Sequence, residues 1–277
     1  MITLRRFLEA VRESFANPLA LVFSIILYAL LLASLYVFVS TREATMMQVL
    51  ITCFFLLLIP AEFFILQATI LAHAQRSRWH WRTILINAVK LFIVTLPILI
   101  IGYVIWILLN KWQLHHPAPR APIVFPPAAV KPQPLHWPGL LFATVRGLFF
   151  VVLLPLLTIH LWIAVTTYDV RTLFRGGAGN TLKQFGRVLA HAISSSSVVI
   201  YVLGLILFAL IPYVLLVIHP TLKGTKTDFA VFVVRLLLVF AFTLFGWVVT
   251  LLALGKQSGG TDSVAPASTA VPAEAAA

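Results

Sequence analysis

The chain has 277 residues, 61% of them hydrophobic and only 10% charged, with a mean hydropathy of +1.03. No soluble globular composition approaches this, so the length is consumed by membrane spans and no catalytic domain outside the bilayer is expected. The formal charge of +12 is accounted for by orientation in a membrane and gives no reason to invoke nucleic acid.

Residues 1–18 predict a cytoplasmic amphipathic helix at the interface. Leu4, Phe7, Leu8, Val11 and Phe15 share one face, while Arg5, Glu9, Arg12 and Glu13 share the other, with Arg5 and Glu9 at i,i+4 spacing. Six apolar runs follow, at 19–39, 47–72, 88–109, 140–165, 198–218 and 230–254. Each is long enough to cross the hydrocarbon core as a helix. The predicted fold is therefore an all-α polytopic membrane protein, a six-transmembrane-helix bundle over 19–254. The first run exceeds a signal-peptide core and lacks a clear small-residue cleavage site, so it is expected to be retained. Cys53 lies inside the second run and has no partner in the chain, which excludes an intrachain disulfide; it is expected to pack as a small hydrophobe.

Lys and Arg are biased to one side. Arg5, Arg6, Arg12, Arg76, Arg78, Arg82, Lys90, Arg171, Arg175, Lys183, Arg187 and Lys256 fall on the side of the termini, against Arg42, Lys111, Arg120, Lys131, Lys223 and Lys226 opposite. The expectation is an inner-membrane protein of bacterial type with both termini cytoplasmic and anionic inner-leaflet lipid as its neighbour. Trp79 and Trp81 mark the inner interface, and Trp106, Trp112 and Trp137 the outer one.

Two further cytoplasmic segments carry helical amphipathicity. In "QRSRWHWRTILINAVK" a polar stripe joins Arg76, His80, Thr83, Asn87 and Lys90. In "NTLKQFGRVLAHAI", Leu182, Phe185, Leu189 and Ile193 oppose Lys183, Arg187 and His191, with Asn180 as N-cap. "FFLLLIP" (54–60) and "FFVVLLP" (149–155) align without a gap, and "VR" recurs at Val145-Arg146 and Val234-Arg235. Together these fit three units of interfacial helix, span, span. The outer loop 110–139 is proline-rich and reads as extended. The cytoplasmic loop 168–196 is basic, and the tail 255–277 is small, polar and expected to be disordered.

Chemistry is sparse. Glu62 lies near the middle of the second run, where an acidic side chain costs on the order of 3 kcal/mol unless it faces the bundle interior. Pro60 removes a backbone donor just before it and is expected to kink the helix and free carbonyls. Thr69 lies on the face of Glu62, whereas Gln67 points elsewhere. Arg146 and Arg235 toward the outer side and His160 toward the inner side complete a candidate intramembrane polar site and track. Structural glue between helices is the competing reading of Glu62, and outward snorkelling that of the arginines.

His73 and His160 on separate helices are weak candidates for haem, and His115, His116 and His136 lack an accompanying acid or cysteine for a metal, so no metal or cofactor is expected. "FRGGAGNT" (174–181) lacks the Lys-Ser/Thr of a phosphate loop and reads as a hinge, while Arg171, Arg175, Lys183 and Arg187 around it are candidate lipid head-group contacts. No nucleophile or paired-carboxylate pattern points to an enzyme, and no catalytic residue is assigned.

The layout looks like that of permease subunits that dock an ATPase through short cytoplasmic helices, which implies a cytoplasmic ATPase or another membrane subunit as partner. The short "HPTLKGTKTD" loop departs from one such class by leaving little room for re-entrant outer helices. A transporter or permease-type subunit for a small or lipidic solute is expected. The alternative is a non-enzymatic scaffold organising lipids or partners through its basic interfacial helices.

Overall fold

The computed structural model describes residues 2–41, 45–75, 80–115, 137–167, 186–218 and 225–261. Among them there is no strand, and six helices are long and apolar enough to cross a membrane. The all-α six-helix architecture follows.

Helix α1, Ile2–Ala16, ends at Asn17, whose side chain accepts from the Ala20 amide and caps α2, Pro18–Ser40. Pro18 supplies the fixed φ favoured in a first helical turn. Helix α3, Met46–Ala74, begins with a reciprocal capping box between Thr45 and Gln48. Helix α4 runs unbroken over Trp81–His115. The fourth span is α5, Trp137–Gly147, then a π-helical stretch Leu148–Leu153, then α6, Leu154–Thr167. The fifth is α7, Ser195–Leu205, a second π-helical stretch Ile206–Leu210, and α8, Ile211–Val217. Helix α9, Thr225–Thr261, is the sixth.

Several expectations change. The segment 81–90 is the opening of α4 and no separate interfacial helix, because no capping break follows it. Of the third amphipathic segment, residues 186–192 are helical and distinct from α7, and 180–185 lie outside the described residues. "FFLLLIP" lies within continuous α-helix while "FFVVLLP" lies largely in the first π-helical stretch, so the two sequences do not share a local structure. Helix α9 continues to Thr261, past the expected start of the tail at 255, and α4 and α5 extend into the expected outer loop at both ends. The remainder of that loop and of the tail lie outside the described residues.

Both π-helical stretches precede a proline, although Pro60 and Pro97 lie within unbroken α-helix, so proline is one contributor and the packing of neighbouring helices the other. Pro155 and Pro212 each follow one by two residues, and proline can neither donate to nor clear the carbonyl four residues earlier. The carbonyl that Pro155 leaves without its α-helical donor is that of Val151, and it accepts from the Tyr201 hydroxyl at 2.9 Å. A neighbouring helix thus supplies a donor that the span itself lacks.

The core is concentrated at the α1 end of the bundle. Helix α9 packs against α1, α3, α6, α7 and α8, and Val248–Leu254 are all buried. Its contact with α7 and the second π-helical stretch is built from small residues. A Cβ at Gly246 would lie 2.7 Å from the Phe208 amide nitrogen, and one at Gly204 would overlap the Thr250 hydroxyl. Buried polar side chains tie the remaining pairs: Trp162 Nε1 donates to Thr95 Oγ1 at 2.9 Å, joining α6 to α4, and Trp247 Nε1 donates to Gln67 Oε1 at 2.7 Å, joining α9 to α3.

Candidate intramembrane polar site

Helix α3 positions the site. Glu62, Leu66, Thr69 and His73 recur at steps of four, three and four, so they form one stripe down the helix. Glu62 is 6% exposed and Thr69 1% exposed, which puts the stripe inside the bundle. Ser34 on α2 donates to Glu62 Oε1 at 3.0 Å, while Oε2 is buried and has no hydrogen-bond partner. From Glu62 the stripe rises about 10 Å to Thr69 and about 16 Å to His73, at 1.5 Å per residue.

At the α1 end the stripe opens into a cavity of about 780 Å³ whose wall includes Thr69, Ala72 and His73 from α3, Glu9, Arg12, Glu13 and Ala16 from α1, Leu19 and Ala20 from α2, Ile84 from α4 and Lys256 from α9. His73 Nε2 is buried there without a partner. Lys256 pairs with Glu13, fastening α1 to the far end of α9. A smaller cavity of about 450 Å³ shares Glu9 and Lys256 with the larger one and is bordered as well by Arg6, His191, Ser194, Ser196 and Gln257. Ser194 caps α7 there, and Gln257 bonds to the serines.

The sequence-derived site residues divide. Glu62 and Thr69 do share an inward face, but the Thr69 hydroxyl donates to its own helix at Ile65 O, 2.8 Å, and contributes a wall more than a ligand. Pro60 is exposed on the opposite side of a helix that continues through it. Arg146 stacks its guanidinium 3.6 Å from the centroid of Trp106. Arg235 donates to the carbonyls of Leu215 and Leu216, the unsatisfied C-terminal acceptors of α8. His160 is 4% exposed, its Nε2 is unpartnered, and its electrostatic neighbour is His191. Among the described residues no hydrogen bond or ion pair joins Glu62 to Arg146, Arg235 or His160, so these do not form a continuous track with it.

Arg187 is exposed, while Arg171, Arg175 and Lys183 lie outside the described residues. Cys53 is exposed on α3 rather than packed inside. Among the described residues no group of three His, Cys, Asp or Glu side chains is placed to hold a metal ion.

Sequence reasoning missed three participants. Ser34 reads as one small polar residue among many in α2. Gln67, expected to point elsewhere than Glu62, does so, yet it is buried and holds Trp247. The cavity depends on α1 folding back beneath α9, which periodicity along one segment does not reveal.

Comparison with protein families, with curated proteins and with solved structures found no match.

Proposed function

We propose that this integral membrane protein is a transport-type subunit, a carrier or permease component for a small or lipidic solute. Its solute enters from the cavity at the α1 end and passes along the α3 stripe by Glu62. The single observation that carries the reading is Glu62. It is a buried carboxyl with one oxygen held by Ser34, and the other oxygen has no partner, on the same helical stripe as a cavity of ligand size. A purely structural carboxyl would be expected to have both oxygens engaged by neighbouring helices. The reading assigns no chemical transformation to the chain, and it places α1 and the cavity on the cytoplasmic side of a bacterial-type inner membrane, following the Lys and Arg bias. A cytoplasmic ATPase or second membrane subunit would dock at this end.

The test is reconstitution of the chain, with every protein that co-purifies, into vesicles containing fluorescent phospholipids and a defined mixture of small solutes. Protein-dependent movement of at least one component is expected, reduced tenfold or more by Glu62→Gln. Correctly inserted protein that moves none of them, or equal movement by the variant, contradicts the reading.

One observation favours the scaffold alternative. Leu4 and Leu8 on α1 are exposed beside Arg5 and Arg6, a combination suited to an anionic membrane surface. Under that reading, replacing Arg5 and Arg6 by Gln would abolish binding of anionic lipid or partner protein while any flux persists.

A further inference from the structure

Arg146 and Arg235 both lie within spans toward the end of the bundle opposite α1, yet their charges are met differently. Arg235 donates to the carbonyls that end α8. Arg146 is half-buried on α5, and among the described residues no hydrogen bond or ion pair holds it. One face of its guanidinium lies 3.6 Å from the centroid of the Trp106 ring on α4, which leaves the N–H edges free. Further aromatic pairs frame it: Trp106 with Phe150, ring centroids 5.8 Å apart, and, toward the helix ends, Trp112 with Phe142 at 5.9 Å. Trp106 and Val145 beside it are exposed, so the guanidinium borders lipid rather than the bundle interior.

The neighbouring chain holds no counter-charge for it. No Asp or Glu occurs between Glu62 and Asp169, so α4, α5 and the segment joining them carry cations alone among their charged groups. Helix α5 packs on α4 and on the π-helical stretch that follows it, both free of acids. A guanidinium left in hydrocarbon costs about 3 kcal/mol, so it must reach a polar group. Depth allows this. The fourth span has 31 residues, about 46 Å at 1.5 Å per residue, against a hydrocarbon core of about 30 Å. With the overhang shared between its ends, Arg146, nine residues on from Trp137, lies about 5 Å inside the hydrocarbon boundary. A long side chain reaches the head-group phosphates from there.

We propose that Arg146, backed by Trp106, binds the phosphate of an anionic phospholipid in the leaflet opposite α1. The guanidinium offers a fork for two phosphate oxygens, and the indole face holds its plane so that the fork points along the helices. A zwitterionic head group would find no carboxylate for its ammonium on α4, α5 or the segment between them, so a net-anionic lipid is favoured. The site is separate from the cavity at the α1 end and does not depend on the transport reading.

The experiment uses the full chain, delipidated in detergent and titrated separately with phosphatidylglycerol and phosphatidylethanolamine, with retained lipids counted by native mass spectrometry. Basic residues at the α1 end also attract anionic lipid, so the readout is the difference between variants. Arg146→Gln is expected to retain one phosphatidylglycerol fewer than the wild type, with circular dichroism and the unfolding midpoint unchanged. Arg146→Lys, which keeps the charge without the fork, and Trp106→Leu should each hold that lipid roughly tenfold more weakly. Combining Trp106→Leu with Arg146→Gln should remove no further lipid. An unchanged count in Arg146→Gln overturns the proposal, and a lowered midpoint with that count would make Arg146 and Trp106 glue between α4 and α5. Equal loss on Lys111→Gln, an exposed cation at the same end, overturns it in favour of diffuse attraction. Equal retention of phosphatidylethanolamine at the Arg146-dependent position overturns the anionic preference. Lipid held against a hundredfold excess of inorganic phosphate supports the proposal, whereas displacement at equal concentration overturns it in favour of a soluble anion.

Discussion

At the scale of single residues, Glu62 separates function from stability. Burying an acid in a span is unfavourable, and replacing a buried polar pair by apolar groups is often neutral or stabilising. Glu62→Leu combined with Ser34→Ala, which removes both partners of the buried hydrogen bond, is therefore expected to unfold in denaturant at or above the wild-type midpoint while abolishing solute movement, the trade expected of a site kept for activity. A destabilisation of about 1–2 kcal/mol, the range such interhelical polar contacts supply, would identify Glu62 as glue instead. Tyr201→Phe is the contrasting case. It leaves the Val151 carbonyl without its hydroxyl donor and should cost roughly 1 kcal/mol in the same unfolding measurement, with movement unaffected. Glu62 was legible in the sequence because an acid within an apolar run is conspicuous. Ser34 was not, since a serine in a span can equally bond its own helix, and only the approach of α2 to α3 decides between them.

At the scale of elements, spans were legible and their interiors were not. Apolar length fixed six helices, because a bilayer leaves the backbone no other way to bond. The π-helical stretches before Pro155 and Pro212 have no counterpart before Pro60, although the sequences before Pro60 and Pro155 rhyme. What differs is the tertiary partner: Tyr201 stands opposite Val151, and Gly246 admits the backbone at Phe208. Gly246→Leu should force α9 away from that stretch and destabilise the bundle by about 1–3 kcal/mol or more, as overpacking does, whereas Gly147→Ala, with open space around its Cβ position, should change the unfolding midpoint little. Amphipathicity likewise identified α1 but over-read 81–90, since a polar stripe fits the first turns of a spanning helix as well as a separate one.

At the scale of the whole molecule, α1, α3, α6, α7 and α8 pack against α9, α2 packs on α3, α4 packs on α3 and α6, and α1 is fastened beneath α9 by Glu13 and Lys256 and by Phe15 against Phe245, ring centroids 5.2 Å apart. Lys256→Glu should loosen α1 and raise the rate of tryptic cleavage at Arg12 severalfold, and the exchange Glu13→Lys with Lys256→Glu should restore protection. Cleavage unaffected by the single change would mean that apolar packing alone holds α1. This arrangement was invisible in sequence because the two partners are separated by nearly the entire chain.

The proposed route from the cavity at the α1 end along the α3 stripe to Glu62 can be probed by thiol accessibility. With Cys53→Ser as background, Thr69→Cys, Glu62→Cys and, as a lipid-facing control, Leu57→Cys would be exposed in vesicles to a charged, membrane-impermeant thiol reagent. Leu57 is 76% exposed on the outside of the bundle, so its substitute should stay unreactive within lipid. Rapid reaction is expected at Thr69→Cys from the α1 side, and slower but measurable reaction at Glu62→Cys. A Glu62→Cys variant as inert as Leu57→Cys would contradict it.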